Sequence, residues 1–268
     1  MSPEKRWTAP RVLASKGNER LVMLTAYDFP TACLADGAGA EILLVGDSLG
    51  MVVLGYETTL PVTVDEMIHH TKAVVRARKK ALVVTDLPFM SFQAAPADAL
   101  RSAGRIVKEG GADAVKFEGG KRVAESVRAI VEAGIPVMGH LGLTPQSVHQ
   151  MGGYRVQGRE VKAADALLSD ADALVGAGIF ALVLEGIPSE LASRITARLS
   201  VPTIGIGAGA SCDGQVLVWH DVLGLYHGQP AKFVRRYAEL ARDAAAGLQN
   251  FVADVKAGRF PSREESYE

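Results

Sequence analysis

Eight short apolar segments recur along the 268-residue chain, each followed by a helical pattern or by a loop and then a helical pattern. The runs are continuous rather than alternating, as is typical of parallel strands buried on both faces. Eight strand–helix units in about 250 residues match the size of one (β/α)8 barrel. We therefore predict an α/β fold, a single (β/α)8 TIM barrel, with a doubly wound open sheet as the alternative. The predicted strands are 21–25, 42–45, 82–85, 114–117, 137–140, 181–184, 203–206 and 222–225.

Helical patterns separate these strands, and no domain boundary, internal repeat or low-complexity tract interrupts them. We predict one barrel domain over residues 1–268, with a short N-terminal lead-in and a frayed tail from Arg259 to Glu268. Thr63 and Glu66 have the spacing of a capping box at the start of a helix. The predicted helices are about 27–37, 63–80, 98–109, 121–133, 163–177, 189–199 and 231–256.

Composition indicates an ordinary globular protein in a reducing compartment. The formal net charge of −1 gives no electrostatic reason to expect binding to nucleic acid or to an anionic membrane. The only cysteines, Cys33 and Cys212, are far apart, which argues against a disulfide framework or a structural zinc site. There is no apolar segment typical of a signal peptide and no run of about 18 apolar residues. We therefore expect a cytoplasmic protein.

Four of the predicted strands lead into an acidic residue. These residues are Asp47, Asp86, Glu118 and Glu185. Each acid on its own is equally consistent with a cap of the next helix. Four such strand ends in one chain favour a shared role, because strand C-termini converge at one mouth of a barrel.

Three other side chains are predicted at the same mouth: Ser48, Lys116 and His140. Each role has an alternative. Lys116 binds an anion or is a structural ion-pair partner of an acid; His140 is a site residue or a core histidine. Glu118 belongs to the site or caps the helix that starts near Lys121.

Several carboxylates close together raise one another's pKa unless a counter-charge is present. Oxygen ligands of this kind suit Mg²⁺, which retains open positions for substrate and water. A lysine and a histidine beside such an ion would suit an anionic 2-oxo acid, whose keto and carboxylate oxygens can chelate the metal. Chelation favours enolate formation, and a spare carboxylate can act as the base. The residues thus predict Mg²⁺-assisted enolate chemistry.

Two further motifs favour structural roles. Gly205 to Gly209 follows a predicted strand and resembles a phosphate-binding loop, but we expect it to form a tight turn. The pair His69 and His70 lies in the middle of a helix with no nearby third ligand, so a structural role is favoured.

An ordered set of motifs over about residues 8 to 255 resembles the 3-methyl-2-oxobutanoate hydroxymethyltransferase (ketopantoate hydroxymethyltransferase) family. The matching segments are Val45–Gly50, Thr59–Thr63, Asp86–Phe89, Val115–Gly120, Gly139–Gln146, Gly152–Gly158, Leu184–Glu185 and Ile204–Gly209. The resemblance implies a (β/α)8 barrel that transfers a hydroxymethyl group from 5,10-methylenetetrahydrofolate to 3-methyl-2-oxobutanoate. The product would be 2-dehydropantoate, in the committed step towards pantothenate.

The resemblance also implies roles for individual residues. Asp47 and Asp86 would bind Mg²⁺, with Glu118 a third ligand, directly or through water. Glu185 would be the general base. The residues that would contact the oxo acid are Asp47, Ser48, Asp86, Lys116 and His140. The family further implies a homodecamer, a pentamer of dimers. No residue that binds the folate co-substrate can be read from the sequence.

Two rival functions remain at this stage. A Mg²⁺-dependent lyase or mutase of the isocitrate lyase and phosphoenolpyruvate mutase type would share the barrel and the acidic metal site. The absence of a Lys-Lys-Cys-Gly-His motif argues against it. A non-catalytic binding barrel is the second rival, and the presence of a candidate base argues against that.

Overall fold

The computed structural model describes residues 6–225 and 229–267. The first five residues of the predicted lead-in and the last residue of the predicted tail therefore lie outside the described residues. The chain divides into two compact units, Met1–Val218 and Trp219–Glu268. The single domain over residues 1–268 therefore stays a prediction.

The first unit contains a closed barrel of eight parallel strands in sequence order. The strands are β1 Leu21–Thr25, β2 Ile42–Val45, β3 Leu82–Asp86, β4 Ala114–Glu118, β5 Val137–Gly142, β6 Ala181–Glu185, β7 Thr203–Ile206 and β8 Gly214–Leu217. Pairing of β1 with β8 runs from Leu21 opposite Gly214 to Leu24 opposite Leu217. An open sheet would leave its two edge strands unpaired, so this pairing confirms the predicted barrel.

Helices connect most of the strands, as predicted. Those of the first unit are α1 Ala9–Ala14, α2 Phe29–Gly37, α3 Leu49–Val52, α4 Val64–Ala77, α5 Pro96–Arg105, α6 Ala124–Glu132, α7 Val148–Met151, α8 Val161–Gly176 and α9 Ser189–Arg198. The predicted capping box of α4 is present, since Thr63 Oγ1 accepts from Glu66 N at 3.2 Å and the Glu66 carboxylate accepts from Thr63 N at 2.7 Å.

The predicted position of the eighth strand is wrong. The barrel closes with Gly214–Leu217, whereas Val222 ends a short helix, α10, Trp219–Val222. The true strand has a weak apolar signal because it begins with Gly and Gln. Glycine is required there because a Cβ at position 214 would lie 2.5 Å from the backbone oxygen of Leu21 on β1. The close contact with β1 requires glycine, and glycine lacks the apolar side chain that identifies the other strands in the sequence.

Side chains along each strand point alternately into the barrel and towards the helices, so the apolar residues of the first unit form two layers. Inward-facing side chains, among them Ile42, Leu82, Ala114 and Met138, pack together inside the barrel. Outward-facing neighbours pack against the helices, as Phe117 does in the cluster shared with α6, α8 and α9. Residues two apart on a strand share a face. The ends of the strands therefore carry their inward side chains directly above the apolar interior.

The second unit contains α10 and α11, Leu240–Lys256. The predicted final helix from residue 231 begins later, at Leu240. No side chain of α11 is buried, and Leu248, Phe251, Val252 and Val255 are exposed. Among the helices that the structure describes, none combines the length and apolarity needed to cross a lipid bilayer.

Candidate active site

The C-terminal ends of the strands surround a pocket of about 100 Å³. Its lining includes all the site residues predicted from the sequence: Asp47, Ser48, Asp86, Lys116, Glu118, His140 and Glu185. An apolar wall of the same pocket includes Leu44, Val183, Ile206 and Val216. The structure thus brings the four acids together in one pocket.

Strand register explains how the side chains come together. Asp86 on β3 is opposite Lys116 on β4, and Glu118 on β4 is opposite His140 on β5. Each of these four residues lies two or four positions after an inward-facing apolar residue of the same strand. Its side chain therefore also points into the barrel. The polar groups form a layer above the apolar interior and are almost fully buried, with Lys116 only 5% exposed.

Asp47 and Asp86 are directly linked. The backbone N–H of Asp47 donates to Asp86 Oδ2 at 3.1 Å. A Cβ at Gly46 would lie 2.8 Å from Ser48 Oγ. The glycine that follows β2 therefore leaves room for the Ser48 hydroxyl beside the two acids.

Lys116 is the buried cation of the pocket. Its Nζ lies 2.9 Å from Asp86 Oδ1. Burial opposes its charge, but Asp86, Glu118 and Asp47 outweigh that effect and raise the pKa of Lys116. The ion pair predicted as the structural alternative is thus present, and both of its residues line the pocket. Ion pairing and anion binding are compatible here.

His140 lies between Lys116 and Glu185. Lys116 Nζ is 3.3 Å from Nδ1, and because an ammonium group only donates, Nδ1 must be the unprotonated nitrogen. Nε2 then carries the hydrogen and lies 3.2 Å from Glu185 Oε2, although the contact is not aligned well enough for a full hydrogen bond. Burial and the charge of Lys116 lower the pKa of His140 despite Glu185, so the imidazole is neutral at pH 7.

The carboxyl groups that line the pocket outnumber its single positive charge, that of Lys116. Burial, and then the charge of Asp86, raises the pKa of Asp47 to about 7. Burial and the charge of Asp47 also raise the pKa of Glu118 well above its ordinary range. A second cation would favour the ionised form of both groups, because opposite charge offsets the cost of burial.

The donor set fits a hard divalent cation. Asp86 Oδ1 accepts no well-directed hydrogen bond, although Lys116 is close to it. Within residues 6–225 and 229–267, no group of three or more His, Cys, Asp or Glu side chains is arranged to hold a metal ion unaided. Mg²⁺ is usually bound by one or two carboxylates and completes its shell with substrate oxygens and water. The Asp47 and Asp86 pair meets that requirement.

Helix capping, the alternative role of the acids, does not account for them. In the described part of the chain, none of the four acids caps the helix after its own strand. Lys121 N, which Glu118 would cap in the alternative role, instead donates to Asp170 Oδ1 at 2.9 Å. Glu118 Oε2 accepts from Gln146 N at 3.0 Å, and its Oε1 is 3.6 Å from His140 Nδ1.

Sequence reasoning missed two residues that support the site. Tyr27 is buried, and its hydroxyl lies 2.9 Å from Ser48 Oγ. Gln146 donates from Nε2 to Asp47 Oδ2 at 2.8 Å. Gln146 ends the motif Gly139–Gln146, so its position was visible in the sequence, but nothing in the pattern indicated its partner on another strand.

The two remaining motifs have structural contacts. His70 Nδ1 lies 2.6 Å from the backbone oxygen of Tyr27, which agrees with the structural role expected of the histidine pair. Gly209 has φ +83°, and a Cβ there would lie 2.5 Å from Ser189 Cβ. The glycine-rich segment after β7 is therefore a tight turn against the start of α9, as expected.

Solved structures with this architecture share the fold at low sequence identity. One is 2,3-dimethylmalate lyase, a member of the PEP mutase/isocitrate lyase superfamily, with a TM-score of 0.63 and 16% identity over 97% of this chain and 89% of that chain. Another is phosphoenolpyruvate phosphomutase from Streptomyces platensis subsp. rosaceus, with a TM-score of 0.62 and 16% identity over 97% and 92%. These likenesses confirm the barrel and carry no conclusion about activity.

Sequence comparison is more specific. A protein of Moorella thermoacetica named 3-methyl-2-oxobutanoate hydroxymethyltransferase is 60% identical over 268 residues, the full length of both chains. A protein of the same name from Carboxydothermus hydrogenoformans is 57% identical over 94% of this chain and 91% of its own. The sequence model of the family described as ketopantoate hydroxymethyltransferase matches residues 6–263. The chain therefore belongs to the ketopantoate hydroxymethyltransferase family.

Proposed function

We propose that this protein transfers a hydroxymethyl group from 5,10-methylenetetrahydrofolate to 3-methyl-2-oxobutanoate, giving 2-dehydropantoate, with Mg²⁺ as cofactor. Family membership supports the reaction. The observation that carries the mechanism is that a candidate base, a buried cation and two linked carboxylates line one pocket with an apolar wall. Such a pocket suits a small molecule with one anionic end and one branched apolar end.

Asp47 and Asp86 would hold the metal, with Glu118 as a further ligand, directly or through water. The closeness of the first two, the buried Asp86 Oδ1 without a well-directed hydrogen bond, and the raised pKa of Asp47 support this assignment. When bound, Mg²⁺ would polarise the keto group of the oxo acid and lower the cost of forming its enolate.

The remaining residues of the pocket would orient the oxo acid. Lys116 and His140 would face its oxygens, and Ser48, held by the Tyr27 hydroxyl, would donate a further hydrogen bond. Asp47 and Asp86 would contact the same end of the substrate. The isopropyl group would lie against the apolar wall that Leu44, Val183 and Ile206 contribute.

Glu185 is the proposed base. It is the acid in the pocket that lies on the far side of His140 from Lys116, and its side chain retains 16% exposure. It would accept the proton from C3 of the oxo acid, and C3 would then bond to the methylene carbon of the folate. Water would supply the hydroxyl group as the bonds from that carbon to the folate nitrogens break, and tetrahydrofolate would leave. The Nε2–H of His140, which makes no well-directed hydrogen bond to Glu185, would donate to the oxo acid beside the base. The new carbon centre is quaternary, so the pocket must remain open beside C3.

Assembly and location are also proposals. We propose a homo-oligomer, a decamer built as a pentamer of dimers, and the exposed apolar residues of α11 support self-association. We propose a cytoplasmic location, and the free thiols of Cys33 and Cys212 support a reducing environment.

The direct test is product formation. The purified protein is incubated with 3-methyl-2-oxobutanoate, 5,10-methylenetetrahydrofolate and Mg²⁺, and 2-dehydropantoate is measured by mass spectrometry. We expect product with the wild type and none above background with Glu185→Gln. Substrate binding without product in the wild type would contradict the proposal and favour a binding barrel.

A further inference from the structure

Gln146 connects the ends of four neighbouring strands. It follows β5 and is 6% exposed. Its side-chain nitrogen donates to Asp47 Oδ2 at 2.8 Å and to the backbone oxygen of Leu87 at 2.9 Å. Its backbone N–H donates to Glu118 Oε2 at 3.0 Å. One residue thus contacts the chain just after β2, just after β3 and at the end of β4.

The orientation of the Gln146 amide is determined by its surroundings. Both hydrogens of Nε2 are used, and Oε1 accepts from Gln93 Nε2 at 3.0 Å. A flipped amide would place Oε1 against the Leu87 carbonyl and the Asp47 carboxylate, and would turn two donors towards each other at Gln93. Buried polar groups left without partners are costly, so the flip is excluded. The donor that faces Asp47 is therefore fixed.

We propose that Gln146 is a positioning residue that holds the carboxylates of Asp47 and Glu118 in the orientation needed to bind a divalent cation. By holding one oxygen of each carboxylate, it leaves the other oxygen for the cation. Pro145 lines the pocket, whereas Gln146 is absent from the described lining, so Gln146 acts through the two acids rather than on substrate. This inference rests on the proposed function.

The geometry separates this role from simple packing. A side-chain substitution at Gln146 removes the donor to Asp47 and leaves the backbone donor to Glu118, and a carboxylate that has lost its donor can turn about its side-chain torsions. Partners that orient metal ligands typically change metal affinity by about 10- to 100-fold when they are removed. Gln93 offers a matched control, because it touches the Gln146 amide without contacting either acid in the described hydrogen bonds.

The test measures metal binding without turnover. Mn²⁺ binding to the full-length protein, without substrates, is followed by electron paramagnetic resonance for the wild type, Gln146→Met, Gln146→Asn and Gln93→Met. Folding is checked by circular dichroism and by the melting temperature of the metal-free protein. We expect Kd for Mn²⁺ to rise about 10- to 100-fold in both Gln146 variants. Gln93→Met should retain wild-type affinity while showing a similar change in melting temperature.

The outcomes are distinct. Wild-type affinity in a folded Gln146 variant would overturn the inference and leave the proposed function intact. Loss of fold in both Gln146 variants would also overturn it, because the residue would then be structural. A folded wild type that binds no Mn²⁺ would contradict the proposed metal-dependent function itself.

Discussion

Glu185 Oε2 lies 3.2 Å from His140 Nε2, and Lys116 Nζ lies 3.3 Å from the other ring nitrogen. The neutral imidazole thus lies between the buried cation and the proposed base. Because Nδ1 faces the ammonium group, the only N–H of the ring is directed to the side of Glu185. One histidine therefore lies against both Lys116, the proposed anion-binding residue, and Glu185, the proposed base.

Replacing Lys116 tests the anion-binding side. Lys116→Met retains the length of the side chain and removes the charge. We expect KM for 3-methyl-2-oxobutanoate to rise about 10- to 100-fold, since a hydrogen bond to a charged group contributes about 1.5–3 kcal/mol. Steady-state kinetics measure the change. Lys121→Met, on an exposed lysine just after β4, is the control and should leave KM unchanged. An unchanged KM in Lys116→Met would assign this lysine to structure alone.

Gly142 controls the position of the proposed base. Its φ is +97°, and a Cβ there would lie 2.1 Å from the backbone oxygen of Glu185. Gly142→Ala must therefore move the end of β6. We expect kcat to fall about 100-fold, the effect of a displacement of about 1 Å in a catalytic group.

Gly134→Ala is the matched control for this change. Gly134 has a similar φ of +87° but no atom within 4 Å of the added Cβ. Both variants should lose stability from backbone strain, by about 1–3 kcal/mol, and only Gly142→Ala should lose activity. Thermal melts and kinetics of the two variants separate the effects. Equal loss of kcat in both would mean that the contact with Glu185 is unimportant.

Asp213 stabilises the opposite end of the barrel. Its carboxylate accepts from Lys16 Nζ at 2.8 Å, from Thr203 N at 2.8 Å and from Gly17 N at 3.2 Å. Burial alone would raise the pKa of Asp213, but these donors outweigh burial and lower it. The ionised carboxylate thus connects the segment before β1 to the start of β7.

We expect Asp213→Asn to lower the free energy of unfolding at pH 7 by about 1.5–3 kcal/mol. The folded pKa is below the unfolded value near 3.8, so the stabilisation is present above that value and is lost as the pH falls through the folded pKa. The difference in the free energy of unfolding between wild type and variant should therefore disappear at low pH. Denaturant unfolding at several pH values measures it. Asp172→Asn, which breaks an exposed ion pair with Arg198, should change little. A difference in unfolding free energy that does not depend on pH would contradict the stabilising role of the ionised Asp213 carboxylate.

Most of the barrel could be predicted from the sequence because strands buried on both faces leave continuous apolar runs. Ile42–Val45 and Ala181–Leu184 are such runs, and each is buried throughout. The last strand departed from that pattern. Gly214 is required by its contact with β1, and Gln215 is exposed, so the segment reads as a turn.

The acids of the site could also be predicted, since Asp86, Glu118 and Glu185 are the inward residues at strand ends and Asp47 follows β2 directly after Gly46. The residues that contact and support these site residues could not be predicted from the sequence. Gln146 contacts Asp47 across 99 positions of sequence, and Tyr27 contacts Ser48 across 21. Such contacts depend on which strands are neighbours and on strand register, and no local pattern contains that information.

Glu185, as the proposed base, should remove the C3 proton of an oxo acid held at the Asp47 and Asp86 site. Exchange of that proton in D₂O, followed by proton NMR with Mg²⁺ and with EDTA, tests this role. We expect exchange with Mg²⁺, no exchange with EDTA, and none in Glu185→Gln, which should still bind the oxo acid. Exchange that persists in EDTA, or in Glu185→Gln, would contradict this role.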